Sequence, residues 1–231
     1  MKKLAIITAR GGSKRIPRKN IKDFLGKPII AYSIETALKS ELFDEVMVST
    51  EDEEIAQIAQ QYGAVIPFLR SNKNADDFSG TADVLIEVIN EYRRQGKEFD
   101  ICCGIYPTAP FITIEILEKA LELLTLKKLD VVFPVGEFSS PIQRALKKNI
   151  ENKVSMFEPS NLMKRSQDLE KAYFDAGQFY MCKTDTLLEK KRLWTDNTGV
   201  ITLSTLQVQD IDNIEDWKMA EFKYQWIKQQ S

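Results

Sequence analysis

The sequence predicts an α/β fold in which a mostly parallel sheet carries helices on both faces. Short apolar runs alternate with segments of helical periodicity along most of the chain, and the run from Ile101 to Tyr106 is apolar throughout. A continuously apolar strand is typical of the centre of a parallel sheet, where both faces are buried. Of the 231 residues, 43% are hydrophobic and 29% are charged, which excludes disorder for most of the chain.

Strands are predicted where short runs of residues are apolar or β-branched. In chain order they are 4–7, 45–49, 64–68, 101–106, 131–135, 176–181 and 200–203. Helices are predicted where apolar side chains recur every three or four residues. In chain order they are 29–38, 55–62, 84–92, 114–124, 184–190 and a last helix from about 214. The second helix also has a start signal, the capping box of Thr50 and Glu53, and a stop signal in Gly63.

Residues 137–172 interrupt this alternation and are predicted to form an appendage of strands and loops. The segment holds the turn-rich motifs at 139–141 and 159–161 and no long amphipathic helix. It is too short to form a core of its own. We therefore expect one α/β core made of residues 1–136 and 173–231, with 137–172 contributing to a dimer contact and to the substrate site.

Composition excludes several classes of function. The chain has no histidine, so a Ser-His-Asp triad, a Cys-His dyad, a histidine metal site and an imidazole base are all excluded. The net charge of -2 argues against partners such as nucleic acid or a membrane surface. The chain has three cysteines, Cys102, Cys103 and Cys182. An odd number argues against a disulfide framework and favours reduced thiols. The apolar start, 4–9, is too short for a signal peptide, and no segment approaches a membrane span. We expect a cytoplasmic protein.

A basic loop, residues 9–20, follows the first predicted strand. It contains five Lys and Arg residues and no acid, in the order Ala9-Arg10-Gly11-Gly12-Ser13-Lys14-Arg15-Ile16-Pro17-Arg18-Lys19-Asn20. One interpretation is a solvated turn. Two glycines and Ser13, however, would let backbone and hydroxyl donors approach an anion, which favours a phosphate cradle. Its spacing matches neither G-x-x-x-x-G-K-[ST] nor G-x-G-x-x-G, so a dehydrogenase is disfavoured.

An acidic stretch, 210–216, precedes the last predicted helix. Glu215 and Asp216 suit the first turn of a helix, where acids offset the macrodipole. Either Asp212 or Asn213 is a candidate N-cap of that helix. Asp210 and Asp212 flank one apolar residue, so in extended chain both carboxylates point to one side, as a hard cation would require. Both interpretations, metal site and helix cap, stay open at this point.

Further polar motifs follow other predicted strands, at the sheet edge where α/β proteins bind ligands. They are Arg70 and Thr81 after the third strand, Tyr106-Pro107-Thr108-Ala109-Pro110 after the fourth, and Gln143-Arg144, Arg165-Ser166-Gln167-Asp168-Leu169 and Asp175-Ala176-Gly177-Gln178 around the appendage.

Together these motifs resemble, over essentially the whole chain, the cytidylyltransferases that activate acidic sugars. The resemblance rests on the basic loop, Val48-Ser49-Thr50, Pro107-Thr108-Ala109-Pro110 and Asp210-Ile211-Asp212. Pro141-Ile142-Gln143-Arg144-Ala145-Leu146, the Arg165 motif and Tyr173-Phe174-Asp175-Ala176-Gly177-Gln178-Phe179-Tyr180 are most similar to the pseudaminic acid branch. The resemblance implies a Rossmann-like nucleotidyltransferase fold, a homodimer, and Mg²⁺-dependent transfer of CMP from CTP to a nine-carbon 2-keto sugar acid with release of pyrophosphate.

The resemblance also implies roles for individual residues. Nucleotide contacts are expected from Ala9, Arg10, Gly11, Gly12, Ser13, Lys14, Lys19, Asn20, Arg70 and Thr81. Substrate contacts are expected from Tyr106, Thr108, Gln143, Arg144, Arg165, Asp175 and Gln178. Mg²⁺ would be held by Asp210 and Asp212. Arg10, Lys14, Lys19, Asp175 and Asp212 would act in catalysis, with the two aspartates as candidate bases. Arg165 suits the sugar carboxylate because a guanidinium binds it through two parallel hydrogen bonds.

Three departures from the family pattern bear on the substrate. Thr8 replaces a common proline, Tyr106 replaces the glutamine of the sialic acid enzymes, and Phe174 replaces an expected histidine. The second departure argues against sialic acid itself. Legionaminic acid, sialic acid and eight-carbon keto sugar acids remain the alternatives within the enzyme class. Outside it, the alternative is a nucleotide-binding regulator without catalysis, which would have no use for the Asp210 and Asp212 pair.

Overall fold

The computed structural model describes residues 1–74 and 79–230. The strands are β1 (Lys3–Thr8), β2 (Asp23–Phe24), β3 (Lys27–Pro28), β4 (Glu45–Ser49), β5 (Ile101–Ile105), β6 (Val131–Glu137), β7 (Leu146–Lys148), β8 (Val154–Met156), β9 (Tyr173–Asp175), β10 (Phe179–Lys183) and β11 (Thr198–Leu203). The α-helices are α1 (Ile29–Lys39), α2 (Glu53–Gln61), α3 (Thr81–Arg94), α4 (Ile114–Leu126), α5 (Thr184–Lys190) and α6 (Ile214–Gln230). Within these residues, none of the helices combines the length and apolar character needed to cross a bilayer.

The central sheet has the strand order β11-β6-β10-β5-β1-β4, with β9 also paired to β6. β1 runs parallel to β4 and β5, and β11 runs parallel to β6. β10 is inserted antiparallel between β5 and β6, and β9 is antiparallel to β6. The mostly parallel α/β fold predicted from the sequence is therefore confirmed.

The core lies on both faces of the sheet because successive side chains of a strand point in opposite directions. On one face, Ala5 and Ile7 of β1 pack with α1, α2 and α4. On the other, Leu4 and Ile6 pack with α3 and α5. All of β5 is buried, as its continuously apolar sequence predicts. The carboxyl ends of β1, β4 and β5 consequently form one open edge between the two helical layers.

Three predicted boundaries were wrong. The predicted strand 64–68 is a single bridge between Val65 and Met47, because Pro67 has no N–H to extend the ladder. Helix α2 is capped by Asp52, whose carboxylate accepts the Ile55 N–H at 3.0 Å, rather than by Thr50. The predicted strand 176–181 begins only at Phe179, as β10, because residues 176–178 form a turn after β9 that needs the left-handed φ of 63° at Gly177.

Residues 138–172 hold the β7–β8 hairpin and several short 3₁₀ turns. Most of their side chains are exposed, including Ile150 at 99% and Met163 at 90%. The appendage thus adds little to the core. Its assignment as a separate unit stays a prediction.

Helix α6 packs against the loop that follows β1. Trp217 is 2% exposed and contacts Phe24 of β2 edge to face, with ring centroids 5.5 Å apart. Ile16 of the basic loop and Ile211 of the acidic stretch join the same cluster. Burial of these apolar side chains holds the basic loop and the acidic stretch side by side.

We expect Trp217→Ala to lower the free energy of unfolding by about 3–5 kcal/mol, as is typical when a large buried aromatic is truncated. Trp226→Ala is the matched control on the same helix, because this side chain is 45% exposed. The control should change stability by less than about 1 kcal/mol. Urea denaturation measures both, and equal midpoints for the two variants would contradict the role given to Trp217.

Candidate active site

A cavity of about 500 Å³ opens at the carboxyl edge of β1 and β5. It is lined by Thr8, Arg10, Ser13, Lys14, Arg15, Lys19, Asn20, Arg70, Asn74, Ser79, Thr81, Val84, Tyr106, Pro107 and Thr108. Five of these side chains are cationic, and none of the lining residues in the described part of the chain is acidic. The cavity therefore suits a ligand with several negative charges.

The basic loop is fixed on one side by residues that follow β4. The Gly11 N–H donates to Glu51 Oε1 at 2.7 Å, so this backbone donor is engaged within the protein. Arg18 adopts a left-handed conformation with φ 55°, and its guanidinium pairs with Asp52 and Glu54. Within the loop, Asn20 Nδ2 donates to the Arg10 carbonyl at 2.8 Å. These contacts anchor the loop through groups of the protein itself.

On its other side the loop contacts the acidic stretch. Arg15 Nη2 lies 2.6 Å from Asp212 Oδ1, and Lys19 Nζ donates to the Ile211 carbonyl at 2.7 Å. Burial lowers the pKa of Lys19, and the nearby Asp212 and Asp210 carboxylates oppose this shift. Burial, and then repulsion from Asp212, raises the pKa of Asp210, while Lys19 opposes that shift. The two predicted metal ligands are thus neighbours of each other and of Lys19.

The hydrogen bonds at the start of α6 show which side chains cap this helix. Asn213 Oδ1 accepts the N–H groups of Glu215 and Asp216, at 2.8 and 3.0 Å. The Asp216 carboxylate in turn accepts the N–H groups of Asp212 and Asn213, each at 3.0 Å. Capping is therefore performed by Asn213, with Asp216 in the reciprocal role. The side chains of Asp210 and Asp212 take part in neither of these two capping roles.

Arg70 forms the wall of the cavity beyond β4. It is 7% exposed, and its guanidinium donates to Ser49 through Nε to Oγ at 3.0 Å and Nη2 to the carbonyl at 2.5 Å. Burial lowers the pKa of Arg70, and the Glu51 and Glu87 carboxylates oppose the shift. Because these contacts fix its orientation, Arg70 presents the same face to any ligand in the cavity.

Two tyrosines lie between the cavity and Asp175. Tyr106 OH lies 3.0 Å from Thr81 Oγ1, and both residues line the cavity. Tyr180 packs edge to face against Tyr106, with ring centroids 6.2 Å apart, and its hydroxyl donates to Asp175. Burial is the main cause that raises the pKa of Tyr106 and of Tyr180, so both phenols stay protonated at neutral pH. Asp175 itself is not among the lining residues.

Of the predicted site residues, nine lie together in the cavity wall: Arg10, Ser13, Lys14, Lys19, Asn20, Arg70, Thr81, Tyr106 and Thr108. Gln143, Arg144 and Arg165 lie in the appendage, where Arg165 pairs with Asp168 at 2.8 Å. Gln178 is 3% exposed and donates to the Gln207 carbonyl at 2.6 Å. The substrate roles of these four residues stay predictions.

Two residues of this region were not assigned a role from the sequence. Arg15 belongs to the basic loop and lines the cavity, so the charge of the loop was the available signal. Tyr180 is 6% exposed and lies in β10, where its sequence position indicates only a core residue. Its position beside Tyr106 depends on the pairing of β10 with β5 and could not be read from spacing.

Comparisons with known proteins give one family and a consistent set of relatives. The family model described as Cytidylyltransferase matches residues 4–219. Pseudaminic acid cytidylyltransferase of Campylobacter jejuni is 45% identical over 97% of each chain. CMP-N,N'-diacetyllegionaminic acid synthase of Legionella pneumophila is 32% identical over 96% of this chain and 95% of that protein. Among solved structures, a CMP:2-keto-3-deoxy-manno-octonic acid synthetase complexed with CTP has a TM-score of 0.71 at 21% identity, with both chains fully covered.

We expect Gly11→Ala to destabilise the protein, because the added Cβ would lie 2.5 Å from Asp52 Oδ2 and would disturb the ion pair between Asp52 and Arg18. A strained packing site typically costs about 1–3 kcal/mol, or roughly 2–4 °C in melting temperature for each kcal/mol at this size. Gly12→Ala is the matched control, since nothing lies within 4 Å of its Cβ position. Thermal unfolding of both variants tests this expectation. A Gly11→Ala protein as stable as the control would contradict the close packing of Gly11 against Asp52.

Proposed function

Because the chain belongs to the cytidylyltransferase family, we propose that it transfers CMP from CTP to a nine-carbon 2-keto sugar acid, with pseudaminic acid as the substrate and pyrophosphate as the second product. The observation that carries this proposal is the basic cavity at the carboxyl edge of the sheet, where five cationic side chains and no acid stand among the described lining residues. The names and coverage of the relatives support the choice of sugar. We also assign the enzyme to the cytoplasm, in keeping with its three buried free cysteines.

The reaction is an in-line attack of the anomeric hydroxyl of the sugar on the α-phosphorus of CTP, and pyrophosphate leaves. Charge accumulates on phosphoryl oxygens, so the protein acts by positioning and by fixed positive charge. Arg10, Ser13, Lys14 and Lys19 are assigned to the triphosphate, since all four line the cavity within one loop. Asn20 is assigned to the ribose, and Arg70 with Thr81 to the cytosine.

Mg²⁺ is proposed to bind at Asp210 and Asp212. Their donor set fits, because paired carboxylates are ligands that this hard cation prefers. The pKa of Asp210 is raised by burial and then by repulsion from Asp212, and a bound cation would relieve that repulsion. In the described ranges no group of three or more Cys, Asp or Glu side chains forms a fuller metal site, so phosphate oxygens would complete the coordination. When bound, Mg²⁺ would neutralise phosphate charge and polarise the reacting phosphoryl group.

We expect Asp210→Asn and Asp212→Asn to lower pyrophosphate release by roughly a hundredfold or more, because each removes a charge that serves the transition state. Melting temperatures should stay within a few degrees of the parent, since Asn213 and Asp216 supply the cap. Titration calorimetry with Mn²⁺ and a non-hydrolysable CTP analogue should show weakened metal binding. Glu215→Gln, an exposed acid in the first turn of α6, is the control and should behave as the parent. Normal metal binding in both aspartate variants would overturn the assignment.

The appendage is proposed to contact a second copy of this chain. Phe157 and Met163 are 64% and 90% exposed, an unusual solvent exposure for large apolar side chains on one short segment. Contact with a second subunit would bury them and would bring Arg165 near the cavity of the partner, where its guanidinium suits the sugar carboxylate.

Light scattering tests this contact directly. The parent should have about twice the 26.5 kDa mass of one chain at micromolar concentration. The double variant Phe157→Glu with Met163→Glu should shift toward one chain's mass, because charge would be buried in the interface. Leu126→Glu, at a residue that is 71% exposed and outside the appendage, is the control. A parent with the mass of a single chain would refute the dimer.

The proposed function is tested by offering the enzyme CTP, Mg²⁺ and one sugar acid at a time, with pyrophosphate release and CMP-sugar formation as readouts. We expect pseudaminic acid to give the highest kcat/KM, ahead of legionaminic acid, sialic acid and an eight-carbon keto sugar acid. Preference for another of these acids would correct the substrate and keep the reaction. CTP binding without turnover on any member of the panel would instead favour a non-catalytic nucleotide-binding protein.

A further inference from the structure

Arg15 lines the cavity and also pairs with a proposed metal ligand. Its Nη2 lies 2.6 Å from Asp212 Oδ1, and the residue belongs to the cavity wall. The Arg15 side chain is 68% exposed, so water screens the ion pair and keeps it weak. The guanidinium can therefore change partners at a small cost in free energy.

Arg18, in the same loop, is held more firmly than Arg15. Two hydrogen bonds join its guanidinium to the Asp52 carboxylate, and a further one joins it to Glu54. Its side chain is 39% exposed, and it is not among the residues that line the cavity. Within the described residues, Arg15 has a single ion-pair partner, Asp212. The loop thus combines one arginine that anchors it with another that is loosely held at the cavity.

The Asp212 carboxylate is a position for which two cations compete. The proposed Mg²⁺ site uses this carboxylate, and the Arg15 guanidinium lies against it. Two cations on one carboxylate repel each other, because Coulomb repulsion is strongest at short distance. A divalent cation at Asp212 would therefore displace the singly charged guanidinium. Arg15 would then find its next anion in the cavity that it lines, where a planar guanidinium can bind a phosphate group through two parallel hydrogen bonds.

We propose that Arg15 exchanges Asp212 for a phosphate group of the nucleotide when a divalent cation binds, and that this exchange couples metal binding to CTP binding. The inference rests on the proposed function and its Mg²⁺ site. Without ligands, the guanidinium stays on Asp212 and competes with the metal. With both ligands present, it adds a contact to the triphosphate. The coupling is reciprocal, so the factor by which the cation strengthens CTP binding equals the factor by which CTP strengthens cation binding.

The test measures binding by titration calorimetry without sugar acid, so that no transfer occurs. The affinities compared are those for Mn²⁺ alone, for CTP in EDTA, and for CTP with saturating Mn²⁺. Arg15→Gln should bind Mn²⁺ alone about threefold to fivefold more tightly, because an exposed ion pair no longer competes. It should bind CTP in EDTA within about twofold of the parent. With Mn²⁺ it should bind CTP about tenfold more weakly, since a charge-assisted contact to phosphate is lost.

Asp212→Asn should have the opposite effect on metal-free CTP. Loss of the carboxylate releases Arg15, so CTP in EDTA should bind about threefold to fivefold more tightly than to the parent. Asp210→Asn is the matched comparison, because it removes an equal charge from the same stretch and leaves the ion pair in place; its gain should be smaller. The double variant Arg15→Gln with Asp212→Asn should lose the gain, as coupled residues have non-additive effects.

Lys22→Gln is the control for loss of a positive charge beside the loop. The Lys22 Nζ lies 5.6 Å from the ring centroid of Trp217, and Lys22 is not a lining residue of the cavity. All three affinities should stay within about twofold of the parent. The proposal is overturned if Arg15→Gln weakens CTP binding equally with and without Mn²⁺, or if it binds Mn²⁺ alone as the parent does. A parent that shows the coupling but transfers CMP to no sugar acid would refute the proposed function and support the exchange.

Discussion

Packing of the basic loop between two acidic segments is the interaction on which the candidate site depends. Glu51, Asp52 and Glu54 hold Gly11 and Arg18 on one side, and Asp212 and the Ile211 carbonyl hold Arg15 and Lys19 on the other. Like charges gathered in one loop repel each other, so these acidic supports are needed to keep the loop compact. None of the supports lines the cavity, which leaves the positive charge available to a ligand.

The antiparallel strand β10 connects the rest of the site to this loop. By entering between β5 and β6 it brings Gln178 and Tyr180 beside Tyr106, and the preceding turn returns the chain from the appendage at Asp175. A wholly parallel sheet would have no strand entering from this edge. The inversion thus places polar residues behind Tyr106 of the cavity wall and joins the appendage to this part of the core through a few residues.

Much of this arrangement was predictable from local sequence, because apolar periodicity reports directly on which face of an element is buried. The run 4–7 and the basic loop after it identified β1 and the main wall of the cavity. Where prediction was wrong, a competing local effect decided the outcome: Pro67 ended a ladder, and Asp52 was a better cap than Thr50. The position of Tyr180 beside Tyr106 depends on the pairing of β10 with β5, two strands distant in sequence, and no local pattern carries that information.

Comparison of CTP, CDP and CMP binding by titration calorimetry at two salt concentrations tests most directly the claim that the basic cavity is built for a triphosphate. Affinity should rise with each added phosphate, and the preference for CTP over CMP should shrink as salt screens the loop charges. Arg10→Ala and Lys19→Ala should remove much of the CTP preference and leave CMP binding nearly unchanged. Equal affinities for CTP and CMP in the parent, independent of salt, would contradict the account.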